Sequence, residues 1–176
     1  SGTEMRSLAL SAALTFALDQ ATKLGVLFGL NLPERGEIDI FPPYLVFRMA
    51  WNRGINFGLL GGEAGLTRWI LIAVALAISA WVITWVRKEP QNRLAQLSAG
   101  LLVGGAIGNV VDRLAYGAVA DFLNMSCCGI ENPYAFNVAD VAIFAGAMGL
   151  VIFAGRPAQG GGGSKGRTGK PARKTP

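Results

Sequence analysis

The chain contains no histidine, only two cysteines and few charges, with 15% of its 176 residues being Asp, Glu, Lys or Arg. Without histidine, His-based zinc centres and Ser-His or Cys-His nucleophile pairs are excluded. Cys127 and Cys128 supply too few ligands for a structural zinc. A soluble domain carries about a quarter charged residues. The shortage of charge here, with 52% hydrophobic residues and a mean hydropathy of +0.41, indicates a single integral membrane domain. Carboxylates, Arg, Lys and Asn are the reactive groups that remain. The net charge of +5 suits the flanks of membrane helices, and no nucleic-acid partner is expected.

What the chain does have is long apolar runs. Residues 8–28, LALSAALTFALDQATKLGVLF, can cross a bilayer at about 1.5 Å per residue. Asp19 and Lys23 interrupt the run, and no small-residue cleavage site follows it, so it reads as a retained helix and not a signal peptide. These two residues are spaced i, i+4 on one helix face and can pair. Residues 29–65 are more polar and rich in Gly and Pro. Within them GEIDIF and YLVFRMAW read as two strands broken at Pro42-Pro43, forming a small sheet on the outer membrane surface. WNRGINFGLLGG follows, where Gly54, Gly58, Gly61 and Gly62 permit tight turns.

Residues 66–86 form the clearest membrane helix, with Trp69 near one end and Trp81 and Trp85 near the other. A third helix is predicted over 94–111. Gly100, Gly104 and Gly108 make a smooth stripe along it, read as a helix-packing surface. A fourth helix covers 138–154. The tail, 156–176, is basic and Gly-rich and is expected to be disordered; its GGGGS resembles a linker. The expected architecture is therefore an all-α bundle of four transmembrane helices within residues 1–155, with a small extracytoplasmic β-sheet. Arg6, Arg87, Lys88, Arg93, Arg156 and the basic tail fall on one side of such a bundle, and Arg35, Arg48, Arg53, Arg68 and Arg113 on the other. The positive-inside rule then puts both termini in the cytoplasm and every polar cluster at the outer face.

Ionisable residues at membrane depth are costly and mark function, and residues 104–140 are rich in them. Asp121 and Asp140 flank one loop. Two carboxylates sharing a proton can activate water, one as base and the other as donor to a carbonyl oxygen. Each also has a plainer reading: Asp121 as a solvated loop acid, and Asp140 as the third residue of a helix capped by Asn137. Asn109, Asp112 and Arg113 share a face at the outer end of the third helix. They suit either an Asp112–Arg113 interfacial salt bridge or a grip, by Asn109 and Arg113, on an extended peptide. Asn52 and Gly54 suit a turn. Cys127 and Cys128 read as loop filler or a strained local pair rather than a redox centre. Two other classes fit paired membrane acids and a Gly stripe: a proton- or ion-coupled small transporter, and a non-enzymatic membrane assembly protein.

Five segments in register, DQATK at 19–23, WNRGINFGLL at 51–60, GGAIGNVVDR at 104–113, VADF at 119–122 and FNVAD at 136–140, resemble the lipoprotein signal peptidase (signal peptidase II) family. These are bacterial inner-membrane aspartic proteases that remove signal peptides from prolipoproteins. The resemblance spans nearly the whole chain except the tail. It implies that Asp121 and Asp140 are a catalytic dyad cutting just before a diacylglyceryl-modified Cys. It also implies that Asp19, Lys23, Asn52, Gly54, Asn109, Asp112, Arg113 and Asn137 line or brace the substrate site. Residues 29–65 would be the family's outer β-cradle and mobile loop. The expected partners are a lipid-modified prolipoprotein and membrane lipids, with the enzyme a monomer needing no cofactor. The presenilin-like GxGD signature is absent.

Overall fold

A computed structural model describes residues 5–54 and 64–155. Gly58, Gly61, Gly62 and the tail lie outside that range. The elements are α1 (Arg6–Leu24), α2 (Leu32–Arg35), β1 (Glu37–Phe41), β2 (Leu45–Asn52), α3 (Ala64–Val86), α4 (Arg93–Tyr116), β3 (Val119–Asn124) and α5 (Val138–Phe153), with a π-helical turn over Gly25–Gly29 continuing α1.

The packing of α1 is polar inside and apolar outside. Ser11, Thr15, Asp19 and Lys23, spaced four apart, are buried, whereas Leu10, Leu14 and Leu18 are more than half exposed. Water would penalise that arrangement, but hydrocarbon favours it. The glycine stripe of α4 receives the polar face. A Cβ on Gly100 would meet the Leu8 carbonyl and Ser11, and one on Gly104 would meet the Ala12 carbonyl and Thr15. Close backbone approach is thus the use of both glycines. Gly105 makes the same kind of approach to α5 at Ala139, and Gly146 of α5 meets the backbone of α4 at Ser98 and Leu102. Hence α4 sits between α1 and α5. An apolar core of Leu8, Val82, Val86, Ala99, Leu102 and Leu150 closes one end of the bundle. Among the described helices, α3 and α4 are long and apolar enough to cross a membrane; α5 is apolar but only 16 residues long.

The small sheet has the order β1-β2-β3, antiparallel throughout. Its first two strands fall where the alternating pattern puts them, on either side of Pro42-Pro43. The third strand corrects the reading of Asp121 as a loop acid: VADFLN is a strand with Val119, Ala120, Asp121 and Phe122 all buried. A strand buried on both faces shows no alternation, so period-two reading misses it. Phe122 packs edge-on against Phe47 at 5.5 Å and anchors the sheet with Val26 and Leu32. The third helix also runs past 111 to Tyr116, because nothing breaks it before Gly117. That glycine caps it at φ 75°, donating to the Arg113 carbonyl, and the chain turns straight into β3.

Candidate active site

The turn at Gly117 brings β3 back beside the end of α4, while the start of α5 packs against α4 through Gly105. Asp121 therefore arrives from a strand and Asp140 from a helix. Asn137 caps α5: its side chain accepts from the Asp140 amide at 2.9 Å, and Asp140 Oδ2 accepts from the Asn137 amide at 3.2 Å. The same Asn137 donates through Nδ2 to Asp121 Oδ1 at 2.7 Å. One buried residue thus touches both carboxyls. Asn109 Nδ2 donates to Asp140 Oδ1 at 3.1 Å, and Asn52 Nδ2 donates to Asp121 Oδ2 at 3.1 Å. The helix-capping reading of Asn137 and Asp140 is correct. The reading of Asp121 as a solvated acid is not, since it is 3% exposed.

Asn52 ends β2 and is set by a turn in which its Oδ1 accepts from the Gly54 amide at 2.9 Å. Gly54 has φ 95°, and a Cβ there would strike Leu71, so both conformation and space call for glycine.

Behind the two acids lies a buried ionic cluster. Lys23 Nζ is 2.8 Å from Asp19 Oδ2, 2.8 Å from Asp112 Oδ2 and 3.1 Å from Asn109 Oδ1, which uses all three ammonium donors. The expected Asp19–Lys23 pair is present. An Asp112–Arg113 pair is not found among the described residues, because neighbours on a helix point apart and Asp112 turns inward to Lys23. The carboxylates of the cluster also hold backbone. Asp19 Oδ1 accepts from the Ala139 amide at 2.9 Å, immediately before Asp140, and Asp112 Oδ2 accepts from the Ala120 amide at 3.1 Å, immediately before Asp121. Lys23 therefore links α1 and α4 to the chain on which each site acid is mounted.

Gln20 was not singled out from the sequence, yet its amide donates to Asp19, to Asp112 and to the Gly108 carbonyl at 3.0–3.3 Å. Its place beside Asp19 in the DQATK segment was the available signal. Gly108 sits directly against Asp19 Oδ2, and any Cβ would collide with it. We expect Gly108→Ala to push Asp19 off Lys23 and Ala139, destabilising the fold by about 1–3 kcal/mol. Thermal unfolding in detergent measures this, and Gly100→Ala provides a comparison that overpacks α1 without touching the ionic cluster.

Asp121 opens onto a cleft of about 510 Å³ lined also by Asn52, Leu71, Arg113, Pro133 and Tyr134. Arg113 lies within electrostatic reach of Asp121, Asp140 and Asp112, and its Nε is buried without a hydrogen-bond partner. Burial, and then the neighbouring Asp140 charge, push the Asp121 carboxyl up to about 6. The two acids thus sit in a setting that retains a proton, next to an open, mixed polar and apolar cleft. Such a pair can activate water and polarise a carbonyl. The described residues contain no cluster of metal-binding side chains.

A family model described as "Signal peptidase (SPase) II" matches residues 11–155. The lipoprotein signal peptidase of Methylorubrum extorquens (strain PA1) is 44% identical over 160 residues, covering 89% of this chain and 90% of that protein. The lipoprotein signal peptidase of Rhodopseudomonas palustris (strain TIE-1) is 41% identical, covering 81% and 87%. A solved structure described as a bacterial membrane enzyme superposes with a TM-score of 0.69 at 25% identity, covering 82% of this chain and 90% of that one. A second gives 0.67 at 26% identity, covering 82% and 85%. The matched region takes in every residue that surrounds the two acids, and the chain belongs to the signal peptidase II family.

Proposed function

We propose that Asp121 and Asp140 together hydrolyse the peptide bond that joins a signal peptide to a lipid-modified prolipoprotein. As a signal peptidase II, the protein is an aspartic endopeptidase that removes signal peptides from prolipoproteins. The observation that carries the assignment is Asn137, hydrogen-bonded to both carboxyls at once. In the reading favoured here, Asp121 holds the proton that the pair shares, since its carboxyl is pushed up. Asp140 takes a proton from water, the water attacks the scissile carbonyl, and Asp121 donates to the developing oxyanion. Collapse returns a proton to the leaving nitrogen. Asn52, Asn109 and Asn137 fix the two carboxyls. Arg113, which lines the cleft, takes a substrate backbone carbonyl through its guanidinium, a partner that hydrocarbon cannot supply.

The protein is membrane-embedded. We infer four spans, α1, α3, α4 and α5, with both ends in the cytoplasm, the sheet and cleft on the extracytoplasmic face, and a monomeric enzyme. The support is the apolar outer face of α1 and α5 together with the distribution of Lys and Arg. The scissile bond beside a lipidated Cys would then meet the acids at the membrane surface while its acyl chains stay in lipid. A gel-shift assay with a diacylglyceryl-modified precursor and its unlipidated twin tests the substrate class. Cleavage of the lipidated form alone is expected, and equal cleavage of both would contradict it.

The shared proton also sets a pH dependence. Cleavage needs one protonated and one ionised acid, and the proton leaves as pH rises through about 6. We expect kcat/KM to decline above that value. A profile flat from pH 5 to 9 would contradict the assignment of the proton to this pair.

A further inference from the structure

The loop between β3 and α5 carries Pro133 and Tyr134, which line the cleft over Asp121, and it also carries Cys127 and Cys128. Its tip, Cys127-Cys128-Gly129-Ile130, is a tight hairpin turn. The Ile130 amide donates to the Cys127 carbonyl at 2.9 Å, and both central residues have positive φ, 60° at Cys128 and 80° at Gly129. A turn of this kind favours Asn, Asp or Gly at its first central position, because most other side chains are disfavoured in the left-handed region. Here that position is a cysteine. The left-handed backbone brings Cys128 Sγ to 2.7 Å from Cys127 Sγ, closer than unbonded sulfurs ordinarily rest, and both side chains are exposed.

Below this tip the two arms of the loop are tied to each other. The Ser126 hydroxyl accepts from the Asn132 amide at 3.0 Å. Asn124 Nδ2 donates to the carbonyls of Asn132 and Tyr134 at 2.7 and 2.9 Å. The turn joins these two arms, and the second of them carries Pro133 and Tyr134 into the lining of the cleft.

We propose that Cys127 and Cys128 are a redox modification site, closing to a vicinal disulfide that sets the conformation of the loop over the cleft and hence the rate of cleavage. The proposal rests on the extracytoplasmic placement of this loop, in a compartment where disulfides persist. The oxidant is a disulfide donor of the thiol-oxidase class. One cysteine thiolate attacks the donor disulfide and releases a donor thiol, giving a mixed disulfide. The second thiolate attacks that intermediate and releases the other donor thiol. One S–S bond forms and one breaks, two thiol protons pass to the two departing thiolates, and two electrons reduce the donor. The product ring contains the Cys127–Cys128 peptide bond and so constrains the turn that the loop hangs from.

Intact cells are acid-quenched and alkylated with and without prior reduction, and the peptide spanning residues 127–128 is read by mass spectrometry. Both thiols should be blocked until reduced. Purified enzyme should change its kcat/KM for lipidated precursor on reduction, and Cys128→Gly, which suits the turn and cannot close the ring, should show no such change. Free thiols without reductant, or a disulfide whose reduction leaves cleavage unaltered, overturn the proposal. A membrane-impermeant reductant followed by an impermeant maleimide separates the two readings. Labelling in intact cells keeps the placement whatever the redox result, and labelling only after lysis removes the placement and the proposal with it.

Discussion

Replacing either Asp121 or Asp140 by Asn should lower kcat for a lipidated precursor by about 10³-fold or more while the protein still inserts and folds. Asn keeps the size of the side chain and one acceptor, so Asp121→Asn retains the acceptor for Asn137 and Asp140→Asn retains one for the α5 cap. What it removes is the capacity to exchange a proton. Stability separates this from a folding defect. A buried carboxyl pushed up to about 6 contributes stability that is fully present at low pH and is lost as pH rises through that value. Asn has no such loss. Above pH 6 that gain offsets the acceptor lost to Asn52, so Asp121→Asn should unfold close to the parent even though it is inactive. Retained turnover in both variants would end the dyad reading, and a non-enzymatic assembly protein would be indifferent to either substitution.

Lys23→Met should destabilise the fold by about 3–5 kcal/mol. Its side chain is 2% exposed, and its ammonium group neutralises two buried carboxylates, Asp19 and Asp112. Removing it leaves both without a cation. The damage should not stay local, because those carboxylates hold the Ala139 and Ala120 amides next to the site acids. Activity is thus expected to fall along with stability. The double change Lys23→Met with Asp19→Asn should recover part of the stability, since it leaves one unpaired charge instead of two. Thermal unfolding in detergent of the parent, the single and the double variant checks this. A Lys23→Met protein as stable as the parent would mean that the cluster is not the buried brace described above.

Much of this was readable in the sequence, for identifiable reasons. The membrane helices announce themselves by length and apolarity, and the Asp19–Lys23 pair follows from helical spacing alone. Asn137 and Asp140 form a capping box because their spacing permits little else at a helix start. The glycine stripe of α4 was rightly read as packing, although its partner, the polar face of α1, was not identified. Other features were hidden by distance along the chain. Asn52 meets Asp121 across 69 residues and Asp19 meets Ala139 across 120, and no local pattern encodes either contact. Asp121 looked like a loop acid because β3 is buried without alternation, and Asp112 looked like a partner for Arg113 because only its sequence neighbours were visible. Gln20 was hidden for the same reason, since two of its three acceptors lie on α4.

Binding of an uncleavable lipidated peptide with a secondary alcohol in place of the scissile carbonyl tests the pairing of the two acids most directly, because affinity can be read even where turnover is lost. If both carboxyls grip one oxygen, Asp121→Asn and Asp140→Asn should each weaken the Kd by about 10-fold or more, and the double variant should be little worse than the weaker single. Losses that add in full, or one substitution without effect, would mean that the two aspartates do not work on the same atom.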